Sequence, residues 1–311
     1  MADLYVLLKA QNDDFLQALR TCKVANTPVF FDHKANLLAA ICGKVRPTVL
    51  LEFAANEFVS EILATEPTAD IYMVSEGVDA TSVKSTFEKD HVCGVVNGAT
   101  LTRPSQWEDL LTQIFAAQPD FSDLKSLVGG TSQQQFTLPN SSERTFIMDK
   151  IEAGIVAECT GYGEDVARIF SERAITLADE LMLNAVFNAN PAMKGVDRSL
   201  PYPLDENSQV TVEFAAGPKA FAVAVTDKFG HLQKSDVVKH ICNPNLLGRI
   251  SDRVSGGLGL RLAFEGASQL IFDVQENVST RVVVVTFVVP SQRQFRTNPK
   301  SLCFFSRAAA P

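Results

Sequence analysis

The sequence has little of what would place a protein in a membrane, in an oxidising compartment or on nucleic acid. Its six cysteines are scattered without a C-x-x-C pair, which is typical of reduced thiols in a cytoplasmic protein. The first ten residues carry two charges and a short apolar run, so we expect neither an export signal nor a membrane span. The net charge is −8 and no cluster of Lys and Arg offsets it, which argues against a nucleic-acid partner.

The composition is that of a well-packed globular protein, with 311 residues, 46% of them hydrophobic. This length predicts two domains. The best boundary is a segment rich in Gly, Gln, Ser and Asn, which we expect to be a tether. We therefore divide the chain into a first domain (1–119), a linker (120–145), a second domain (146–290) and an apolar tail (291–311). The apolar residues of the tail are expected to pack on their own domain or on a second subunit of a homodimer.

The first domain alternates short apolar runs with amphipathic stretches, which predicts five strand–helix units. Five such units with buried strands indicate an α/β fold, a doubly wound (βα)5 sheet of flavodoxin-like type. The predicted strands are residues 4–8, 27–31, 48–53, 70–74 and 92–96.

In size and rhythm this domain resembles a response-regulator receiver. The resemblance implies an acidic pair for Mg²⁺ after the first strand, a phosphoacceptor Asp after the third, a Ser or Thr after the fourth and a Lys after the fifth. Here Glu52 stands near the phosphoacceptor position and Ser75 matches the hydroxyl, but the acidic pair and the Lys are missing. We interpret the domain as a pseudo-receiver without phosphotransfer. Glu52 is either a built-in mimic of the phosphorylated state or a partly exposed acid at a strand end.

A polar stripe runs along a predicted helix of the second domain. Residues 146–190 have helical periodicity, and within them Glu180, Asn184 and Asn188 recur at every fourth position. A polar stripe is ordinarily a solvated helix face. If these amides are buried they need partners, because each unpaired buried amide costs about 1–3 kcal/mol.

Further features follow this helix in a fixed order: an Asp at the end of a predicted strand, a glycine-rich turn that opens a helix, and a Thr that begins a late strand. Glycines at a helix start permit close backbone approach, and the free N–H groups there favour phosphate. The residues concerned are Asp227, Gly230, Gly257, Leu258, Gly259 and Thr280.

The order of these motifs over residues 145–289 resembles the ATP-binding domains of the GHKL superfamily, which includes sensor histidine kinases, anti-sigma serine kinases and gyrase. The resemblance implies an α+β sandwich of Bergerat type that binds ATP and Mg²⁺. By resemblance, Asn184 would ligate Mg²⁺ next to Asn188, and Asp227 would accept the adenine amino group beside Gly230. The remaining binding residues would be Thr280 behind the adenine and Gly257, Leu258 and Gly259 at the phosphates.

The chain departs from that family in the turn after Asp227. Lys228 and Phe229 precede Gly230, so the first glycine of the usual motif is missing and the second is shifted by one position. Ser279 stands where the family has a Gly before Thr280. These changes leave the expected fold intact and weaken the expectation of ATP binding.

None of the four histidines lies in residues 146–190, which excludes a histidine autokinase. The resemblance to anti-sigma serine kinases implies that Glu180 activates the serine hydroxyl of a protein partner; a structural carboxylate is the alternative. We expect a cytoplasmic, bacterial-type signalling regulator that binds ATP·Mg²⁺ and acts by serine-kinase action or partner switching. In it the pseudo-receiver is a regulatory or dimerisation module. The other hypothesis is a non-catalytic scaffold in which both domains serve only protein–protein contacts.

Overall fold

The computed structural model describes residues 4–8, 19–20, 28–75, 77–97, 112–116, 119–243, 258–289 and 300–308. The chain divides into two compact units, Met1–Ser122 with Pro299–Cys303 and Asp123–Asn298 with Phe304–Pro311. Both units contain helices and strands, so the predicted mixed α/β character is confirmed. Among the described residues, no helix is both long enough and apolar enough to cross a membrane.

The first unit is built on a parallel sheet with the strand order β2-β1-β3-β4-β5, which is the order of flavodoxin-like doubly wound sheets. All five predicted strands are present, with ends shifted by no more than two residues. Leu302 and Cys303, from the predicted tail, pair in antiparallel fashion with Val95 and Gly94 of β5. The strands are β1 (Leu4–Leu7), β2 (Val29–Phe31), β3 (Thr48–Glu52), β4 (Asp70–Ser75) and β5 (Val92–Asn97).

The described part of this unit also contains helices α1 (Lys34–Ile41), α2 (Val59–Thr65) and α3 (Ala80–Phe87), with a short 3-10 helix, Phe53–Phe58, before α2. Alternate strand residues point to the same sheet face, and there they form one buried cluster with the apolar residues of α1 and α2. The predicted helices at 13–21 and 104–117 lie largely outside the described residues. The cluster includes Leu37, Ile41, Val49, Leu51, Ile62, Ile71 and Met73.

The second unit contains an antiparallel sheet with the strand order β9-β10-β8-β7-β6. Its strands are β6 (Gln133–Leu138), β7 (Val210–Ala216), β8 (Ala220–Asp227), β9 (Gln269–Gln275) and β10 (Ser279–Phe287). Strand β11 (Ser301–Arg307) is divided, with its residues up to Cys303 in the first unit and those from Phe304 in the second. Its helices are α4 (Leu124–Val128), α5 (Arg144–Glu158), α6 (Glu164–Leu183), α7 (Lys234–Ile241) and α8 (Leu258–Gly266). Helix α6 packs against α5, α8 and β8, while α5 also contacts β7 and α8 also contacts β9.

Residues 120–145, the predicted tether, contain α4, β6 and the start of α5. Strand β6 pairs with β7 along its whole length, and Gln133 Nε2 donates to Glu213 Oε1 at 2.8 Å. The structure therefore differs from the prediction here, and the segment is part of the second unit. The physical reason is that β6 lies at a sheet edge, where a strand can carry polar side chains on both faces and so lacks apolar alternation.

The predicted apolar tail contains β11, and its described apolar residues are buried in this chain. Leu302, Phe304 and Phe305 are each no more than 8% exposed. In the second unit, the Phe304 ring lies 6.0 Å from the ring of Phe272 of β9, and Arg307 forms an ion pair with Asp273. The described part of the tail, residues 300–308, thus packs within its own chain, while a homodimer stays a prediction.

Candidate functional site

A cavity of about 460 Å³ opens in the second unit, within the size range of small-molecule sites. Its walls come from α6 and the segment that follows it, from α7 and α8, and from the ends of β8 and β10. Four residues singled out by the motifs line it: Asn184, Asn188, Asp227 and Thr280. The fold therefore brings together side chains that are separated by almost a hundred residues of sequence.

A single turn of π-helix, Asn184–Asn188, continues α6 at the cavity wall. Such turns are rare and are frequent at functional sites, because they widen the helix and change the direction of its side chains. On α6 itself Leu177 and Leu181 are buried, as the predicted apolar face requires. Asn188, by contrast, is exposed at the cavity.

Arg198 and the two amides form a hydrogen-bonded chain along this wall. Arg198 Nη2 donates to Asn188 Oδ1 at 2.7 Å, and Asn188 Nδ2 donates to Asn184 Oδ1 at 2.6 Å. The Asn184 Nδ2 atom is buried and has no hydrogen-bond partner in the described part of the chain. Both amide oxygens are therefore already paired, whereas one buried amide donor is left unsatisfied.

Glu180 lies one helical turn before Asn184, next to the start of α8. A Cβ atom at Gly259 would lie 2.6 Å from Glu180 Oε2 and 2.8 Å from Asn184 Nδ2, so only glycine leaves room for this approach. Burial and the nearby Asp179 raise the pKa of Glu180, while Arg198 and Arg144 lower it. Gly257 and the side chain of Leu258 lie outside the described residues.

Asp227 ends β8 as a buried carboxylate that is only 5% exposed. Its Oδ1 accepts hydrogen bonds from the N–H groups of Phe229 at 2.9 Å and Gly230 at 3.4 Å. Burial raises the pKa of Asp227, and hydrogen bonds from Phe229, Gly230 and Thr280 act in the opposite direction. The backbone thus holds a carboxylate acceptor in the cavity wall. Thr280 lies directly opposite Asp227 in the pairing of β10 with β8.

Gly230 lies behind Asp227, against the turn between β9 and β10. Its φ of 63° is in the left-handed region, and a Cβ atom there would lie 2.1 Å from the carbonyl oxygen of Gln275. This glycine therefore allows the chain to turn sharply after Asp227 while packing against another backbone segment.

The cavity also contains charged and titratable residues that no motif singled out: Lys194, Arg198, His231, Asp236 and His240. Burial lowers the pKa of His240, and the nearby Asp236 raises it. Lys194 and Arg198 belong to a segment without a periodic hydrophobic pattern, so the orientation of their side chains could not be inferred from the sequence. A weak signal was available, since both follow Asn188 by no more than ten residues.

The described residues fit a Mg²⁺ ion poorly. They include no group of three His, Cys, Asp or Glu side chains positioned to hold a metal. Mg²⁺ prefers oxygen ligands, but the Asn184 oxygen is engaged by Asn188 and the Asn188 oxygen by Arg198. Ligation of Mg²⁺ by Asn184 stays a prediction, and in this arrangement the ion would share that oxygen with the Asn188 N–H, which occupies one of its two acceptor positions.

In the first unit, Glu52 and Ser75 are the last residues of β3 and β4, so both lie at the carboxyl edge of the parallel sheet. Both side chains are half-buried. Ser75 pairs with Asn97 of β5, and its Oγ donates to the carbonyl oxygen of Gly77 at 2.7 Å. This edge is where ligands bind in sheets of this order.

Comparison with known proteins assigns no family, since neither a protein-family model nor a curated protein matches this chain.

Proposed function

We propose that the second unit binds an adenine nucleotide in this cavity as a GHKL-type domain of a signalling regulator. One observation carries the proposal: Asn184, Asn188, Asp227 and Thr280 line a single cavity, although they were selected only by motif order along the chain. Convergence of this kind is unexpected for a polar stripe that is merely a solvated helix face.

The order of elements supports the same proposal. A polar helix, a strand that ends in Asp227, a glycine-containing helix start and a strand from Ser279 follow each other along the chain. An antiparallel sheet supports one side of the cavity, and helices α6 and α8 approach each other at Gly259. Asp227 supplies a buried acceptor for an amino group such as that of adenine.

Glu180 is the proposed general base toward a serine hydroxyl of a protein partner. Burial raises its pKa, which makes a carboxylate a better proton acceptor near neutral pH. It lies near Gly259 and Asn184, and Asn184 lines the cavity. These observations support serine-kinase action. Partner switching is the other form of regulation proposed, and it needs no proton transfer.

The first unit is proposed to be a receiver-like module that takes no phosphoryl group. Its strand order and the positions of Glu52 and Ser75 at the sheet edge support the likeness to receivers. The sequence Lys-Ala-Gln at positions 9–11 lacks the acids that hold Mg²⁺ in a working receiver. We infer that this unit regulates or dimerises rather than relays phosphate.

The test is calorimetric titration of the full chain with a non-hydrolysable ATP analogue. We expect micromolar affinity and a loss of about tenfold or more in Asp227→Asn, because the variant replaces an acceptor by an amide donor. Asp165→Asn, at a position that is 93% exposed near the start of α6, is the matched control and is expected to bind like the wild type. Absence of heat at millimolar ligand would overturn the proposal and favour the non-catalytic scaffold.

A further inference from the structure

Arg198 holds the polar wall of the cavity in one arrangement. Its guanidinium donates to Asn188, and Asn188 in turn donates to Asn184, so one cation fixes the orientation of both amides. The guanidinium also lies 5.7 Å from the centre of the Phe187 ring, whose residue lines the same cavity. Nothing in the motif order pointed to Arg198.

The segment that presents Arg198 is ordered by its own side chains. Asn190 Oδ1 accepts from the N–H of Ala192 at 3.0 Å, and this caps the short helix Pro191–Met193. Asp197 Oδ1 accepts from the N–H of Ser199 at 3.0 Å and so closes a turn around Arg198. These hydrogen bonds order the loop, and the ordered loop directs the Arg198 guanidinium toward the cavity.

The charges at this wall favour an anionic ligand near Arg198. The described lining residues include two cationic side chains, Lys194 and Arg198, which are both exposed, and two carboxylates, Asp227 and Asp236. A guanidinium presents parallel N–H donors that match two oxygens of a phosphate group. A metal ion bound to these amides would have to share oxygens that each already accept one hydrogen bond.

We propose that Arg198 binds the phosphate groups of the nucleotide in place of a divalent cation, so that nucleotide binding does not require Mg²⁺. This inference rests on the proposed nucleotide site and specifies how that site recognises phosphate. The negative charge of the ligand is balanced by the guanidinium and by Lys194, while Asn184 and Asn188 stay bonded to each other. The side chains of the protein then bind the phosphate groups without a metal ion.

The experiment is calorimetric titration of the full chain with ADP, in MgCl₂ and in EDTA, and with adenosine in both buffers. For the wild type we expect ADP affinities within about threefold of each other in the two buffers. Arg198→Ala should weaken ADP about tenfold or more in EDTA, because a charge-assisted hydrogen bond to phosphate is lost. Adenosine has no phosphate and should bind the wild type and Arg198→Ala equally.

Two further variants sharpen the test. Arg198→Lys keeps the charge and is expected to lose less ADP affinity than Arg198→Ala. Arg168→Ala removes an exposed arginine that forms ion pairs with Asp165 and Glu172 on the surface of α6, and it should leave every affinity unchanged. Thermal denaturation checks that each variant is folded, which is expected because Arg198 is exposed.

Each result decides a different claim. If the wild type loses more than about tenfold in ADP affinity on EDTA, or if Arg198→Ala binds ADP like the wild type, this inference is overturned and the nucleotide site stands. If neither ADP nor adenosine binds in either buffer, the proposed function itself fails, and the inference fails with it.

Discussion

Asp227 shows how one residue can serve a binding site at a cost to the fold. Burial of its carboxylate raises its pKa, so the folded chain binds the proton more tightly than the unfolded chain does. The contribution of the Asp227 carboxyl group to the free energy of unfolding is therefore most favourable at low pH, and this contribution is lost as the pH rises through the raised pKa. A residue that costs stability at neutral pH is a natural candidate for function.

This linkage gives a prediction for Asp227→Asn. The amide does not titrate, so at pH 7 the variant should be at least as stable as the wild type in urea unfolding. As the pH falls from 7 toward the ordinary Asp value of 3.8, the wild type should regain stability relative to the variant. Asp165→Asn is the control. A variant that is less stable at pH 7, with the same deficit at pH 4, would contradict the assigned burial cost.

Sequence alone could indicate those residues of the candidate site that stand at fixed offsets from regular elements. Asn184 and Asn188 follow from helical spacing, and Asp227 and Thr280 follow from the end and the start of apolar strands. Arg198 could not be found in this way, because the contacts that direct its side chain come from a non-repetitive loop. The geometry of the cavity's polar wall is therefore the part that needed the structure.

At the scale of elements, the site depends on how closely α8 approaches α6. The glycine at position 259 is what permits the contact, since its missing side chain makes room for the ends of Glu180 and Asn184. Most of these elements follow from periodicity in the sequence. Strand β6 does not, because an edge strand with three glutamines lacks the alternation by which strands are recognised.

We predict that Gly259→Ala separates folding from binding. Ala is the better helix former by about 1 kcal/mol, and the overlapping atoms are side-chain ends that can shift, so unfolding free energy should change by no more than about 1 kcal/mol. Displacing Glu180 and Asn184 should weaken nucleotide binding about tenfold. Urea unfolding and calorimetry measure the two effects.

The matched control for that prediction is Gly161→Ala, where an added Cβ meets nothing within 4 Å. This glycine lies in the short helix Cys159–Tyr162, outside the cavity. It should leave the affinity unchanged. Equal affinities for Gly259→Ala and the wild type would mean that the approach of α8 does not shape the binding site.

At the scale of the whole molecule, the two units differ in the chemistry they carry. The second has a cavity whose lining includes the buried carboxylate of Asp227, the amides of Asn184 and Asn188, and the cations Lys194 and Arg198. The first has the strand order of a receiver, but its sheet edge carries Glu52, Ser75 and Asn97 instead of the full phosphotransfer set. If the proposed signalling function is correct, the first unit would act by contact and not by covalent modification.

We predict that the intact chain gains no phosphoryl group from acetyl phosphate and Mg²⁺, as measured by intact mass, under conditions that fully modify a working receiver domain. Glu52→Asp should also stay unmodified. Restoring the acceptor carboxylate leaves residues 9–11 without an acid to hold the metal and Asn97 without a following Lys. Modification of Glu52→Asp alone would show that the sheet edge retains a metal site, and the first unit would then be a receiver disabled by a single substitution.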